Sequence, residues 1–164
     1  MSETNPQATP VDLQAAAQAV QTGRSLDEHF GLSGESARLL YAVAVGHYEA
    51  GRYAQAVACL LQAAALNARV PDVWSLLGNS LVREGQFAQA LEAWLMALHL
   101  QPSFAAAHQI TRTAVALKDR ASAAVGIMAM FKHASTAEQR AASAEMVKTV
   151  ETLGLSAAAP AQPR

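Results

Sequence analysis

The chain has 164 residues, 52% of them hydrophobic, 15% charged and 5% aromatic, with a formal net charge of −1. That apolar content excludes a chain disordered throughout and, at this length, fits one domain. With 12 Lys and Arg against 13 Asp and Glu, and no basic cluster, nothing is available to neutralise a phosphate backbone or an anionic membrane face, so neither nucleic acid nor membrane is an expected partner.

Residues 1–8 read as a disordered, solvated tail, and Met1 to Pro10 holds no Lys or Arg and no apolar core of the kind a secretory signal needs. Thr9-Pro10-Val11-Asp12 marks a helix start, with proline at the first helical position and a carboxylate in the first turn, and opens a helix over 13–21. Ser25-Leu26-Asp27-Glu28 is a second capping box before a short turn ending at Gly31, and Ser33 caps the helix that follows. Residues 9–34 are thus expected to form an N-terminal helical region.

An internal repeat organises what comes next. Glu49-Ala50-Gly51-Arg52-Tyr53-Ala54-Gln55-Ala56-Val57 returns as Arg83-Glu84-Gly85-Gln86-Phe87-Ala88-Gln89-Ala90-Leu91, with the turn glycines 34 residues apart. Around each glycine lie two stretches of helical apolar period, 36–50 with 54–66 and 72–84 with 88–100, which makes each copy a helix–turn–helix unit. The second copy matches the tetratricopeptide (TPR) pattern: Trp74, Leu77, Gly78, Gly85, Phe87, Ala90, Trp94, Ala97 and Pro102 all fall in place, with Leu81 where tyrosine is usual. Small residues let the two helices approach, and Trp74, Leu77 and Trp94 fill the space around the crossing.

The chain then divides into repeat 1 at 37–70, repeat 2 at 71–104 and a degenerate repeat 3 at 105–134, where a 34-residue step puts Arg112 at the place of Gly78, Asp119 at the turn glycine and Ala124 at the small position. Ser135-Thr136-Ala137-Glu138 opens a C-terminal capping helix over 135–154, with Ala142, Met146, Val150 and Leu153 in one stripe and Gly154 as its stop. Residues 155–164 read as a second disordered tail. The fold class is all-α: a TPR-type solenoid of about three repeats between N-terminal and C-terminal capping helices. Many of the 38 alanines take the small places at crossings, among them Ala44, Ala56, Ala63, Ala90, Ala97 and Ala124.

Residues that carry chemistry are sparse. The five histidines show neither HExxH nor HxH and have no neighbouring cysteine, so no metal is expected. No glycine loop has phosphate-binding spacing, and no cofactor is expected. Cys59, the single cysteine, sits among apolar neighbours in a helix and reads as core packing in a reducing compartment. With no nucleophile, metal or phosphate constellation, the expectation is a protein that is not an enzyme.

The first helix of each TPR unit lines the concave groove at positions 2, 5, 9, 12 and 13 of the 34. These are Arg38, Tyr41, Val45, Tyr48 and Glu49 in repeat 1, and Asp72, Ser75, Asn79, Val82 and Arg83 in repeat 2, with Tyr53 at the adjacent turn. Where carboxylate-gripping TPR modules need Lys and Asn, this chain has Tyr and Val, so its groove suits an extended or helical peptide with hydrophobic anchors. The same Tyr41, Val45, Tyr48 stripe also fits ordinary packing beneath the helix at 13–21 or the turn holding Leu26 and Phe30. Both placements stand on spacing alone; the tyrosine hydroxyls favour a partly wet site.

Two stretches resemble a known family. Gly23-Arg24-Ser25-Leu26-Asp27-Glu28-His29-Phe30-Gly31-Leu32-Ser33, and Leu40-Tyr41-Ala42-Val43-Ala44-Val45-Gly46-His47-Tyr48-Glu49-Ala50-Gly51-Arg52-Tyr53 after it, are similar to the class II type III secretion chaperones of the LcrH/SycD kind, and the likeness runs to about Phe131. The resemblance implies a cytoplasmic bacterial TPR chaperone that holds hydrophobic, pore-forming translocator proteins soluble before export. It implies a peptide-binding groove at Tyr41, Val45, Tyr48 and Tyr53, to which the TPR positions add Ser75, Asn79 and Val82. It further implies a homodimer through the helix at 13–21 and, in some members, work with a transcriptional regulator.

Overall fold

A computed structural model describes residues 35–155. The expected N-terminal helical region, with its candidate dimerisation helix, lies outside the described residues. Within them run seven α-helices: α1 (Glu35–Glu49), α2 (Tyr53–Leu66), α3 (Pro71–Arg83), α4 (Phe87–Leu100), α5 (Phe104–Leu117), α6 (Arg120–His133) and α7 (Ala137–Thr152). They form three antiparallel hairpins, α1/α2, α3/α4 and α5/α6, each stacked on the next, with α7 closing the stack against α6 and α5. The fold is therefore the all-α TPR-type solenoid that the repeat implied.

One turn geometry serves all three hairpins. Gly51 and Gly85 adopt φ of 73° and 75°, so their N–H groups reach back to the Tyr48 and Val82 carbonyls, and the next residues, Arg52 and Gln86, donate to the His47 and Leu81 carbonyls at 2.9 Å each. These bonds satisfy the last orphan carbonyls of the first helix and reverse the chain within two residues. In the third hairpin the same two bonds run from Lys118 to Val115 and from Asp119 to Ala114, and Lys118 carries the positive φ, 56°.

This corrects the register of the third repeat. Its turn comes one residue early, so the step from repeat 2 is 33 rather than 34. Asp119 is the N-cap of α6, its carboxylate accepting from the N–H groups of Ala121 and Ser122 at 3.0 and 3.2 Å, and the Ser122 side chain first, then these N–H groups, hold it below the usual carboxylate range. Thr111, fully buried, occupies the crossing expected for Arg112, which is exposed; Ala123 takes the small position expected for Ala124.

The core lies between the two helices of each hairpin and between successive hairpins. Ala44, Ala56, Ala63, Ala90 and Ala97 are buried at the contacts, with Leu60, Leu77 and Trp94 filling the space between. Gly78 is required by the approach of Trp94: an added Cβ would lie 2.6 Å from the indole Cε2. In the third hairpin the small residue has moved to the second helix, where a Cβ on Gly126 would collide with Thr111 Oγ1. Trp74 is only half-buried, and its indole N–H donates to the Ala68 carbonyl at 2.8 Å, fastening the loop between repeats 1 and 2.

The seventh helix starts as expected, with Thr136 as N-cap in a reciprocal capping box with Gln139. Its end differs from expectation. Leu153 is 56% exposed, whereas Leu155, assigned from sequence to the tail, is only 8% exposed and donates its N–H to the Val150 carbonyl beyond Gly154. The apolar contact of the closing turn, not the continuation of the helical stripe, seals this end of the stack.

Candidate functional site: the concave face

The first helices of the hairpins, α1, α3 and α5, carry the concave face. At its centre is a hollow of about 350 Å³ lined by Tyr48 of α1, Asn79, Val82 and Arg83 of α3, Phe87 at the start of α4, and Gln109, Arg112, Thr113 and Ala116 of α5. Three of the expected groove residues, Tyr48, Asn79 and Val82, thus meet in one place.

Tyr53 stands beside them through an aromatic and polar chain. Its ring meets Tyr48 edge-on with centroids 5.4 Å apart, its hydroxyl accepts from Arg83 Nη2 at 2.8 Å, and the Arg83 guanidinium carbon lies 5.1 Å from the Tyr53 ring centroid. Repeat 1 and repeat 2 are therefore tied together across the groove wall. The bond to the Tyr53 hydroxyl favours the charged guanidinium and raises its pKa further above an already high value.

Tyr41 lies in a second hollow of about 360 Å³, with Ala37, Arg38, Asn67, Val70, Asp72 and Val73. Partial burial raises its phenol pKa, and the Asp72 carboxylate raises it further, so the hydroxyl is a protonated donor. Tyr41 and Tyr48 each pack one side against the core cluster and turn the other toward a hollow. The helix at 13–21 and the turn with Leu26 and Phe30, beneath which the same stripe was expected to pack in the other placement, lie outside the described residues. Val45 and Ser75 are half-buried and line neither hollow.

Sequence reasoning missed Phe87, Gln109, Arg112, Thr113 and Ala116. The last four share one face of α5, and the 33-residue step maps Asn79 onto Arg112 and Arg83 onto Ala116. Carrying the groove positions into the third repeat at the 34-residue step names Gln109, Thr113 and Ala116, the 33-residue step adds Arg112, and Phe87 is the counterpart of Tyr53 one repeat on. His108, one turn before Arg112, stacks on Phe104 with centroids 6.1 Å apart, and partial burial followed by the Arg112 charge lowers its pKa. Among the described residues, no group of three His, Cys, Asp or Glu could hold a metal ion, and no helix is long and apolar enough to cross a membrane.

No family model matches the sequence, and no curated protein matches it. The fold is found among solved structures. A type III secretion complex from Aeromonas hydrophila is similar at a TM-score of 0.70 and 18% identity, over 86% of this chain and 95% of that one. The Yersinia enterocolitica type III secretion chaperone SycD, in complex with a peptide of the translocator YopD, is similar at a TM-score of 0.62 and 18% identity, over 76% of this chain and 96% of that one. The first TPR unit of Spaghetti (RPAP3), bound to the HSP90 peptide SRMEEVD, is similar at 0.62 and 15% identity, over 73% and 96%. The likeness to class II translocator chaperones read from residues 23–53 thus has its counterpart in the fold.

Proposed function

We propose that this chain is a cytoplasmic type III secretion chaperone whose concave face holds a short segment of a hydrophobic translocator and keeps that protein soluble and export-competent. The observation that carries this reading is the hollow at which Tyr48, Val82 and Phe87 converge beside Tyr53, on a fold shared with a chaperone whose structure holds a translocator peptide. Such a surface can cover apolar residues of a client that would otherwise aggregate, with no energy input or chemistry. Tyr41, Val45, Tyr48, Tyr53, Ser75, Asn79 and Val82 form the proposed groove. Self-association through residues 13–21 belongs to the same reading, and light scattering of the intact chain against a 22–164 fragment tests it.

The experiment is co-expression with a hydrophobic translocator of a type III secretion system. The translocator is expected to become soluble and to co-purify, and a translocator that stays insoluble beside abundant folded chaperone overturns the proposal. Tyr41→Ala with Tyr48→Ala is expected to weaken the complex at least 100-fold, since buried aromatic anchors contribute about 2 kcal/mol each, while far-ultraviolet circular dichroism stays helical. Collapse of the helical signal in the double variant would assign these rings to the core alone. A second reading, an adaptor for another assembly, is favoured by the likeness to the RPAP3 unit; soluble translocator in the pull-down excludes it.

A further inference from the structure

The central hollow is less apolar than its aromatic edge. Two guanidiniums, Arg83 from α3 and Arg112 from α5, line it together with the side-chain amides of Asn79 and Gln109 and the Thr113 hydroxyl. Neither arginine forms an ion pair with a carboxylate among the described residues, and the groups acting on Arg83 are the Tyr53 and Tyr48 hydroxyls. Glu49, at the corresponding place on α1, forms no ion pair either, and Asp72 belongs to the neighbouring hollow with Arg38 and Tyr41.

Arg83 is also held in place. Its Nη2 donates to the Tyr53 hydroxyl and its guanidinium carbon lies 5.1 Å from that ring's centroid, which leaves the other N–H donors of the planar fork for a ligand. A cationic group held at the wall of a partly enclosed hollow, with a second cation from α5 and two side-chain amides on the same lining, is complementary to a carboxylate. Charge pairs of this kind select among partners more than they add raw affinity.

Resting on the groove reading above, we propose that the segment bound in the groove carries one Asp or Glu side chain, seated between Arg83 and Arg112, within an otherwise apolar stretch. The hollow joins α1, α3 and α5, so a segment laid along the concave face crosses it, and the proposal commits to a side-chain carboxylate, with a terminal carboxylate as the outcome that overturns it. An apolar client segment with a correctly placed acid is thereby distinguished from equally hydrophobic segments that lack one.

The test uses fluorescein-labelled 12-residue peptides rich in Leu and Val, acetylated and amidated at their ends, in which a single Glu, Gln or Lys is walked through the central positions. Binding to the full chain is read by anisotropy at low and high salt. The best Glu peptide is expected to bind about tenfold tighter than its Gln counterpart and further above the Lys one, with the preference shrinking as salt rises. In Arg83→Gln with Arg112→Gln the Glu-over-Gln ratio is expected to fall to near one, and in Arg112→Lys to recover in part.

Equal binding of Glu and Gln peptides at every position, with both weakened by Tyr48→Ala, overturns this inference and leaves the groove reading standing. A Gln peptide that gains only when its C-terminus is left free assigns the site to a terminal carboxylate and likewise overturns it. Peptides that bind with no sensitivity to Tyr48→Ala, or none that bind at all, overturn both.

Discussion

Lys118 holds the left-handed backbone conformation that glycine holds at the two other hairpin turns. A side chain there costs about 1 kcal/mol against glycine, because Cβ crowds the following carbonyl. Lys118→Gly is therefore expected to stabilise the chain by about 0.5–1 kcal/mol, and Gly85→Ala to destabilise it by about 1 kcal/mol or more, even though an added Cβ at Gly85 meets nothing within 4 Å. Urea midpoints at unchanged slope check both. At Gly78 the effect is contact rather than backbone. Ala gains about 1 kcal/mol in helix propensity, but overlap with the Trp94 ring forces the core apart at about 1–3 kcal/mol and outweighs it. The Trp94 Nε1, buried with no acceptor among the described residues, adds nothing to hold the ring in place. Repeat 1 uses Ala44 and Leu60, both fully buried, at these two positions. Gly78→Ala with Trp94→Leu recreates that pair, so the double variant is expected to be more stable than the sum of the single losses, and a double-mutant cycle that shows additivity would deny the contact.

At the scale of the helices, the sequence made repeats 1 and 2 legible because Gly51 and Gly85 mark the same turn and the aromatic after each sits at the same helix start. The third repeat was legible as a helix pair but not in register. A lysine in the glycine's conformation hides the turn, and one missing residue rotates the assignment on α5 by about 100°. That rotation carries Arg112 from a helix crossing to the concave face, while Gln109, Thr113 and Ala116 escaped for another reason: the groove positions were followed only through repeats 1 and 2, where Tyr48, Asn79 and Val82 lie. The end of α7 was misplaced for a related reason: periodicity follows the helix through Leu153, but Gly154, at φ 66°, turns the chain back and delivers Leu155 to the core. Leu155→Ala is expected to destabilise the chain by about 2–3 kcal/mol, from lost burial plus the space left behind. Leu153→Ala is expected to change stability by no more than about 0.5 kcal/mol. Thermal or urea unfolding of the pair distinguishes the closing turn from a continued stripe, which would reverse the order.

Among the described helices, each packs mainly on its neighbours in the chain, and α1 to α3 and α5 to α7 also reach one further. Stability in such a stack is a sum of hairpin and neighbour terms, so the ends open at lower free energy than the middle. Amide exchange is expected to be slowest in α3, α4 and α5, which are covered on both sides, and faster in α7, whose buried face carries only Ser143 and Val150. Leu155→Ala is expected to erase protection in α7 and leave α3 and α4 as they were. A groove occupant adds the complementary case. Because the central hollow joins side chains of α1, α3, α4 and α5, a bound segment stabilises those helices together by an amount set by its concentration over its dissociation constant, about 2.7 kcal/mol at a hundredfold excess. Protection is expected to rise in α1, α3, α4 and α5 and to stay unchanged in α7, which contributes nothing to the hollow. An equal rise in all seven helices would mean that the described stack unfolds as one cooperative unit, and a rise confined to α6 and α7 would place the occupant on another face.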